Sequence, residues 1–269
     1  MVFNDFERQL KNVENCIQKA NYPDENKQVL FDFENHMFMD GFRTSSIKTT
    51  IFNLHNISKH INKPFSEIQK RDIESYIGYL ERNVDSESRK KLMKTYLKKF
   101  FRWYNGGTEP EKTSWINTNS KKSGTKKLPD QLMTTDEVKA MIDAAYYIRD
   151  KALIAVLYDS GARISEIGNL QIKDVTFDQY GAVLRVNGKT GMRRIRIIFS
   201  VPYISNWLDN HPFKDKKDSY IWVTLSRRSK GEQLKYPTIY LNLKKIASRA
   251  GIEKRIYNHL FRHSRATEL

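Results

Sequence analysis

The chain has 269 residues, enough for two domains of ordinary size, and 39% of them are hydrophobic, too many for a disordered polypeptide. No apolar run approaches the roughly 18–20 residues that cross a bilayer, and the start MVFNDFERQL is not built as a signal peptide. The lone Cys16 can form neither an internal disulfide nor a cysteine-rich zinc site, so a reducing cytoplasm is expected, with no membrane partner. Forty-seven Lys and Arg oppose 31 Asp and Glu, for a formal charge of +16. The excess is uneven: 18 basic against 14 acidic residues up to Thr108, then 29 against 17 from Glu109 onward. A polyanion would dock on the second part, although composition alone leaves plain charge-based solubility open.

Helical spacing dominates the first part. From Asp24 to Met39, the residues Val29, Leu30, Phe33, Met37 and Phe38 recur on one face, and Gly41 follows as a stop. Ser46 is a candidate cap for a second helix that carries Ile47, Ile51, Leu54, Ile57 and Ile61. A third begins near Gln69 with Ile73, Ile77 and Leu80. A fourth starts near Asp85 or Ser86, carries Leu92, Tyr96, Leu97, Phe100 and Trp103, and ends at Gly106 and Gly107. A further helix precedes Asn21. Four or five helices with short connections predict a small bundle over residues 1–108.

Residues 109–130 read as a basic linker. Pro110, Gly124 and Pro129 lie among Ser, Thr and Asn, and Lys121, Lys122, Lys126 and Lys127 cluster there. These lysines suit either a solvated hinge or a hinge laid along a phosphate backbone. The part from 131 to 269 is mixed. Thr134 to Glu137 open a helix with capping-type residues, and an apolar helix spans about 150 to 158. Residues 182–187 and 193–199 read as two strands around the turn Gly188-Lys189-Thr190-Gly191. Helices are expected near 203–210, 237–250 and from Asn258 to the end.

Three islands carry chemistry. In the first, Gly161 breaks a helix and Arg163 stands at the start of the next, a rigid place from which to grip phosphate. Glu166, three residues on, is placed to hold that guanidinium, although an ordinary surface Arg–Glu pair has the same spacing. The second island is Lys189 in the hairpin turn, where an ammonium can be merely solvated or can serve a departing oxygen. The third is His259-Leu260-Phe261-Arg262-His263. Here His259 and Arg262 share a helical face, one able to pass protons and the other to fork onto phosphate. His259 and His263 are spaced for a metal, but the glutamate of the HExxH pattern is missing, so no metal is expected.

Taken together, the G-x-R-x-S-E block at 161–166, the hairpin lysine Lys189 and the H-x-x-R-H block at 259–263 resemble the tyrosine recombinase family of phage-type integrases and Xer-type resolvases. The resemblance implies a mainly α protein of two domains. One is a helical, SAM-like core-binding bundle; the other is an α+β catalytic domain with a small β-hairpin or sheet. It implies a double-stranded DNA partner, self-association into a tetrameric synapse, and strand exchange through a 3′-phosphotyrosine with no cofactor. By this resemblance Arg163 and Arg262 bind the non-bridging oxygens, His259 aids proton transfer, Lys189 is general acid to the 5′-oxygen, and Glu166 and His263 support the pocket. The family's nucleophilic tyrosine follows the H-x-x-R block by a few tens of residues, whereas residue 269 comes seven after Arg262. Tyr257, Tyr240, Tyr236 and Tyr158 all lie outside the motif position, so no nucleophile is assigned. Two readings follow: a recombinase whose attacking tyrosine lies beyond residue 269, or a DNA-binding protein that occupies a recombination site without cutting. A type IB topoisomerase shares the chemistry, but the short helical part and Ser165-Glu166 favour an integrase.

Overall fold

The computed structural model describes residues 5–119, 131–188, 191–226 and 229–268, which fall into two compact units on either side of residues 120–130. Each unit has its own apolar core.

In the first unit, apolar spacing becomes α1 (Phe6–Gln18), α2 (Asp24–Met39), α3 (Thr44–Ile61), α4 (Lys70–Asn83), α5 (Glu87–Tyr104) and a one-turn α6 (Glu111–Ser114). Local chemistry sets several of the starts. Asp5 accepts from the Arg8 amide at 3.0 Å, Ser86 accepts from Arg89 at 3.3 Å, and Gln69 with Asp72 forms a capping box. Ser46 is not a cap. The left-handed Gly41 (φ 72°) turns the chain early, so α3 opens at Thr44 and Ser46 lies in its first turn. Leu30, Phe33, Ile47, Ile51, Leu97, Phe100 and Phe101 fill the centre, and burying each large apolar side chain is worth about 1.5–3 kcal/mol. Phe100 packs edge-on to Phe33 at 5.4 Å between ring centres and lies 4.5 Å from Phe65. Buried Asn26 pins the loop before α4, donating to the Lys63 carbonyl and accepting from the Phe65 amide, both at 2.8 Å.

The stretch expected to be linker from residue 109 is packed at its start. Thr113 and Ile116 are buried, and Lys112 Nζ donates to the Ile68 carbonyl at 3.0 Å, so residues 109–119 belong with the helical core. The apolar Ile116 and the hydroxyl of Thr113, bonded to Glu109 at 2.6 Å, supply anchors that a composition count averages away.

The second unit is built around α8 (Ile148–Ser160), whose residues from Ala152 to Asp159 are all buried. It packs against α7 (Thr135–Ala144), α10 (Val201–Asp209) and α12 (Asn258–Glu268); α9 (Ile164–Gly168) and α11 (Tyr236–Arg249) complete the helices. Three antiparallel strands, β1 (Val175–Asp178), β2 (Gly181–Gly188) and β3 (Gly191–Ile197), form a sheet in that order. The β2–β3 register runs from Ala182↔Ile197 to Gly188↔Gly191, so Ala182, Leu184, Val186 and Ile197 face the core. On the outer face stand Arg185, Arg194 and Arg196. The strand β1 was not expected. Its four residues are mostly exposed, so they show no apolar alternation, and pairing with β2 defines them. The fold is thus mainly helical with one small sheet.

Candidate active site

The first island forms a tight corner. Gly161 ends α8 in the left-handed region (φ 52°), and a Cβ there would touch Arg265 Cγ at 3.4 Å. Two residues later Arg163 is the N-cap of α9, with extended backbone. Ile164, Ile167 and Leu170 are buried beneath it and hold the corner to the core.

Glu166 lies under this corner and is buried. Its Oε2 accepts from the Arg163 backbone amide at 2.9 Å and from Arg193 Nη2 at 2.8 Å, while Oε1 accepts from Arg163 Nη1 at 3.1 Å. Burial alone would raise its pKa. The Arg193 hydrogen bond leads the opposing effects, followed by the Arg163 amide, and together they hold the carboxyl below its ordinary value. The backbone of β2 closes over the same carboxylate: a Cβ on Gly188 would land on Glu166 Oε1.

The third island reaches the corner from the far end of the unit. On α12, Leu260 and Phe261 are buried, and this places Arg262 so that its Nη1 donates to the Gly161 carbonyl at 2.6 Å. The Ser264 hydroxyl seats the helix, accepting from the Met133 amide at 2.8 Å and donating to the Leu260 carbonyl at 3.0 Å. His259 and His263 are exposed on α12. The structure therefore brings Arg262 to the Gly161–Arg163 corner and Glu166 beneath it, with His259 one turn before Arg262. Lys189 and the linker lysines Lys121, Lys122, Lys126 and Lys127 lie outside the described residues.

Arg193, Gly188 and Asp159 were not singled out from sequence as site residues. Arg193 and Gly188 act through the buried carboxylate, a relation that needs the hairpin register to be seen. Asp159, also buried, accepts from the Ile198 amide at 2.8 Å, the Ser200 amide at 3.0 Å and the Ser200 hydroxyl at 2.9 Å, tying the end of β3 to the end of α8. On the outer sheet face, Arg194 and Arg196 line a depression of about 540 Å³ with Lys173, Arg185, Asp174 and Asp178. Of the tyrosines weighed as attackers, Tyr158 is buried with its hydroxyl bonded to Thr135 at 3.1 Å, and the Tyr257 hydroxyl is buried. Among the described residues, no three His, Cys, Asp or Glu side chains gather as a metal site, and no helix is long and apolar enough to cross a membrane.

Residues 131–269 match the phage integrase family model. The chain belongs to that family. It is 29% identical over 250 residues to tyrosine recombinase XerA of Pyrococcus horikoshii, an alignment covering 91% of this chain and 80% of the relative. Tyrosine recombinase XerA of Pyrococcus furiosus is 27% identical over 247 residues, covering 90% and 80%. In structure the chain resembles a lambda integrase fragment crystallised as a dimer on a COC′ core site, with TM-score 0.67 at 14% identity, covering 89% of this chain and 88% of that one. XerH recombinase bound to its difH substrate matches with TM-score 0.61 at 19% identity, covering 97% and 83%. These two likenesses concern the fold.

Proposed function

We propose that this tyrosine recombinase family member binds double-stranded DNA and grips one phosphodiester between Arg163 and Arg262 for strand exchange. One observation carries the reading: Arg262, a hundred residues away in sequence, is hydrogen-bonded to the Gly161 carbonyl in the corner that presents Arg163. Two guanidiniums held on rigid elements suit the non-bridging oxygens of a phosphate, where charge grows as a pentavalent transition state forms. His259, exposed one turn before Arg262, would pass the attacking group's proton, and Lys189, which lies between Gly188 and Gly191 in sequence, would protonate the departing 5′-oxygen. Glu166 would orient Arg163, and His263 would support the α12 side. In the balanced step, an attacking tyrosine oxygen bonds to phosphorus as the bond to the 5′-oxygen breaks, leaving a 3′-phosphotyrosine and a free 5′-hydroxyl. Reversal on a second strand exchanges the DNA with no cofactor.

The attacker is not among residues 1–269 in this reading: no tyrosine follows Tyr257, and Tyr158 and Tyr257 have buried hydroxyls. The lysines at 121, 122, 126 and 127 would lie on the phosphate backbone, joining a core-binding unit to a catalytic unit. Self-association on DNA accords with lambda integrase, crystallised as a tetramer bound to a Holliday junction. The test is a nicked duplex, selected by binding from a random pool, end-labelled and run on a denaturing gel. The 269-residue chain should bind it and leave no covalent band. A covalent band from this chain would overturn the missing-attacker assignment and direct attention to Tyr257.

A further inference from the structure

Glu166 is shared by two guanidiniums, and the sharing has an electrostatic result. Arg163 and Arg193 both bond to it, at 3.1 and 2.8 Å, and both have half-exposed side chains, 38% and 40% accessible, over a carboxylate that is only 1% accessible. Both Glu166 oxygens are engaged, and Gly188 closes the Oε1 side. Within this cluster, two cations and one anion leave one net positive charge, beside that of Arg262. Remove Arg193 and Arg163 becomes half of a neutral buried-carboxylate pair, with its charge spent on Glu166 rather than offered to an anion.

We propose that Arg193 is a positioning residue that neutralises Glu166 and so keeps the Arg163 charge available to phosphate. It also docks β3 onto α9, because Arg193 lies on one element and Glu166 on the other. Of the hydrogen bonds that hold the Glu166 carboxyl ionised against burial, the one from Arg193 is foremost, consistent with Arg193 being its principal counter-charge. This inference rests on the proposed phosphate grip by Arg163.

The test is a set of variants titrated with a 30-base-pair duplex in rising salt. Arg193→Gln should weaken binding about tenfold or more, the loss of a charged hydrogen bond, and reduce the salt slope by about 1, the signature of one lost phosphate contact. Arg193→Lys, which keeps the charge, should recover much of both. In an Arg163→Gln, Glu166→Gln background, Arg193→Gln should add little, since the charge it protects and the anion it neutralises are both already gone and Arg193 does not itself reach the phosphate. Arg193→Gln with Glu166→Gln should restore the slope, because the anion and its counter-charge leave together. A further unit of slope lost in that double-variant background would mean that Arg193 grips phosphate itself, and would overturn the proposal. So would a lowered melting temperature for Arg193→Gln with an unchanged slope, which marks a purely structural residue. A wild-type chain that binds the duplex without salt dependence would sink the phosphate-grip reading, and this inference with it.

Discussion

Gly188 sits where only a hydrogen atom fits, against a carboxylate that two arginines share. Gly188→Ala forces a methyl group onto Glu166 Oε1, so β2 or the carboxylate must shift. Overpacking of this kind costs about 1–3 kcal/mol. Urea unfolding of the full chain should show that loss together with weaker duplex binding; unchanged stability would contradict the close approach. Ser264 offers a second single-atom test. Its hydroxyl accepts from the buried Met133 amide at 2.8 Å, and Ser264→Ala removes that acceptor, at a cost of about 1–3 kcal/mol. Since α12 carries Arg262 and His259, the same variant should weaken DNA binding without touching either residue. A variant as stable as the wild type would show that α12 is seated by Leu260 and Phe261 alone.

At the scale of elements, α1 and α2 meet through an unusual acid. Glu34 on α2 is buried, and burial, followed by the charge of and a hydrogen bond with Glu14 on α1, raises its pKa from 4.5 to about 7. An acid with a raised folded pKa is kept protonated by the fold. Its contribution is full below the unfolded value and is lost as pH rises from about 4.5 through about 7. Glu34→Gln should therefore melt higher than the wild type at pH 8, with the difference shrinking toward pH 5. A gap independent of pH would show that Glu34 does not titrate there. Buried His55 and His211, whose pKa values burial lowers, act in the opposite sense and are common to both proteins.

The elements also show what can be read from sequence. The bounds of α2 follow from its apolar stripe and Gly41, and the corner at Gly161 from a glycine next to an arginine. What sequence left hidden is what depends on partners. The strand β1 is defined by its pairing with β2. The packing of residues 109–119 is fixed by contacts with Ile68 and the α5 side, not by composition. Arg193 looks like any strand arginine until the hairpin register sets it over Glu166.

Across the whole molecule, the two cores are separate, and the sequence between them, SKKSGTKKLPD, has one large apolar residue, Leu128. We propose this stretch as the connection between a DNA-binding unit and a catalytic unit. Trypsin should cut first at Lys121, Lys122, Lys126 or Lys127, giving two resistant fragments, and duplex DNA should slow that cut. Early cleavage within α3 or the β2–β3 sheet would place the division elsewhere.

The proposed strand-exchange site requires Arg163 and Arg262 to share one phosphate. Ethylation interference on a bound duplex reads this directly, because an ethylated phosphate that blocks binding marks a gripped position. In the wild type, one phosphate in each bound site should interfere strongly, and Arg163→Ala and Arg262→Ala should each abolish interference at that same phosphate while the rest of the pattern stands. Loss at two different phosphates, or a pattern that neither variant alters, would contradict the shared grip.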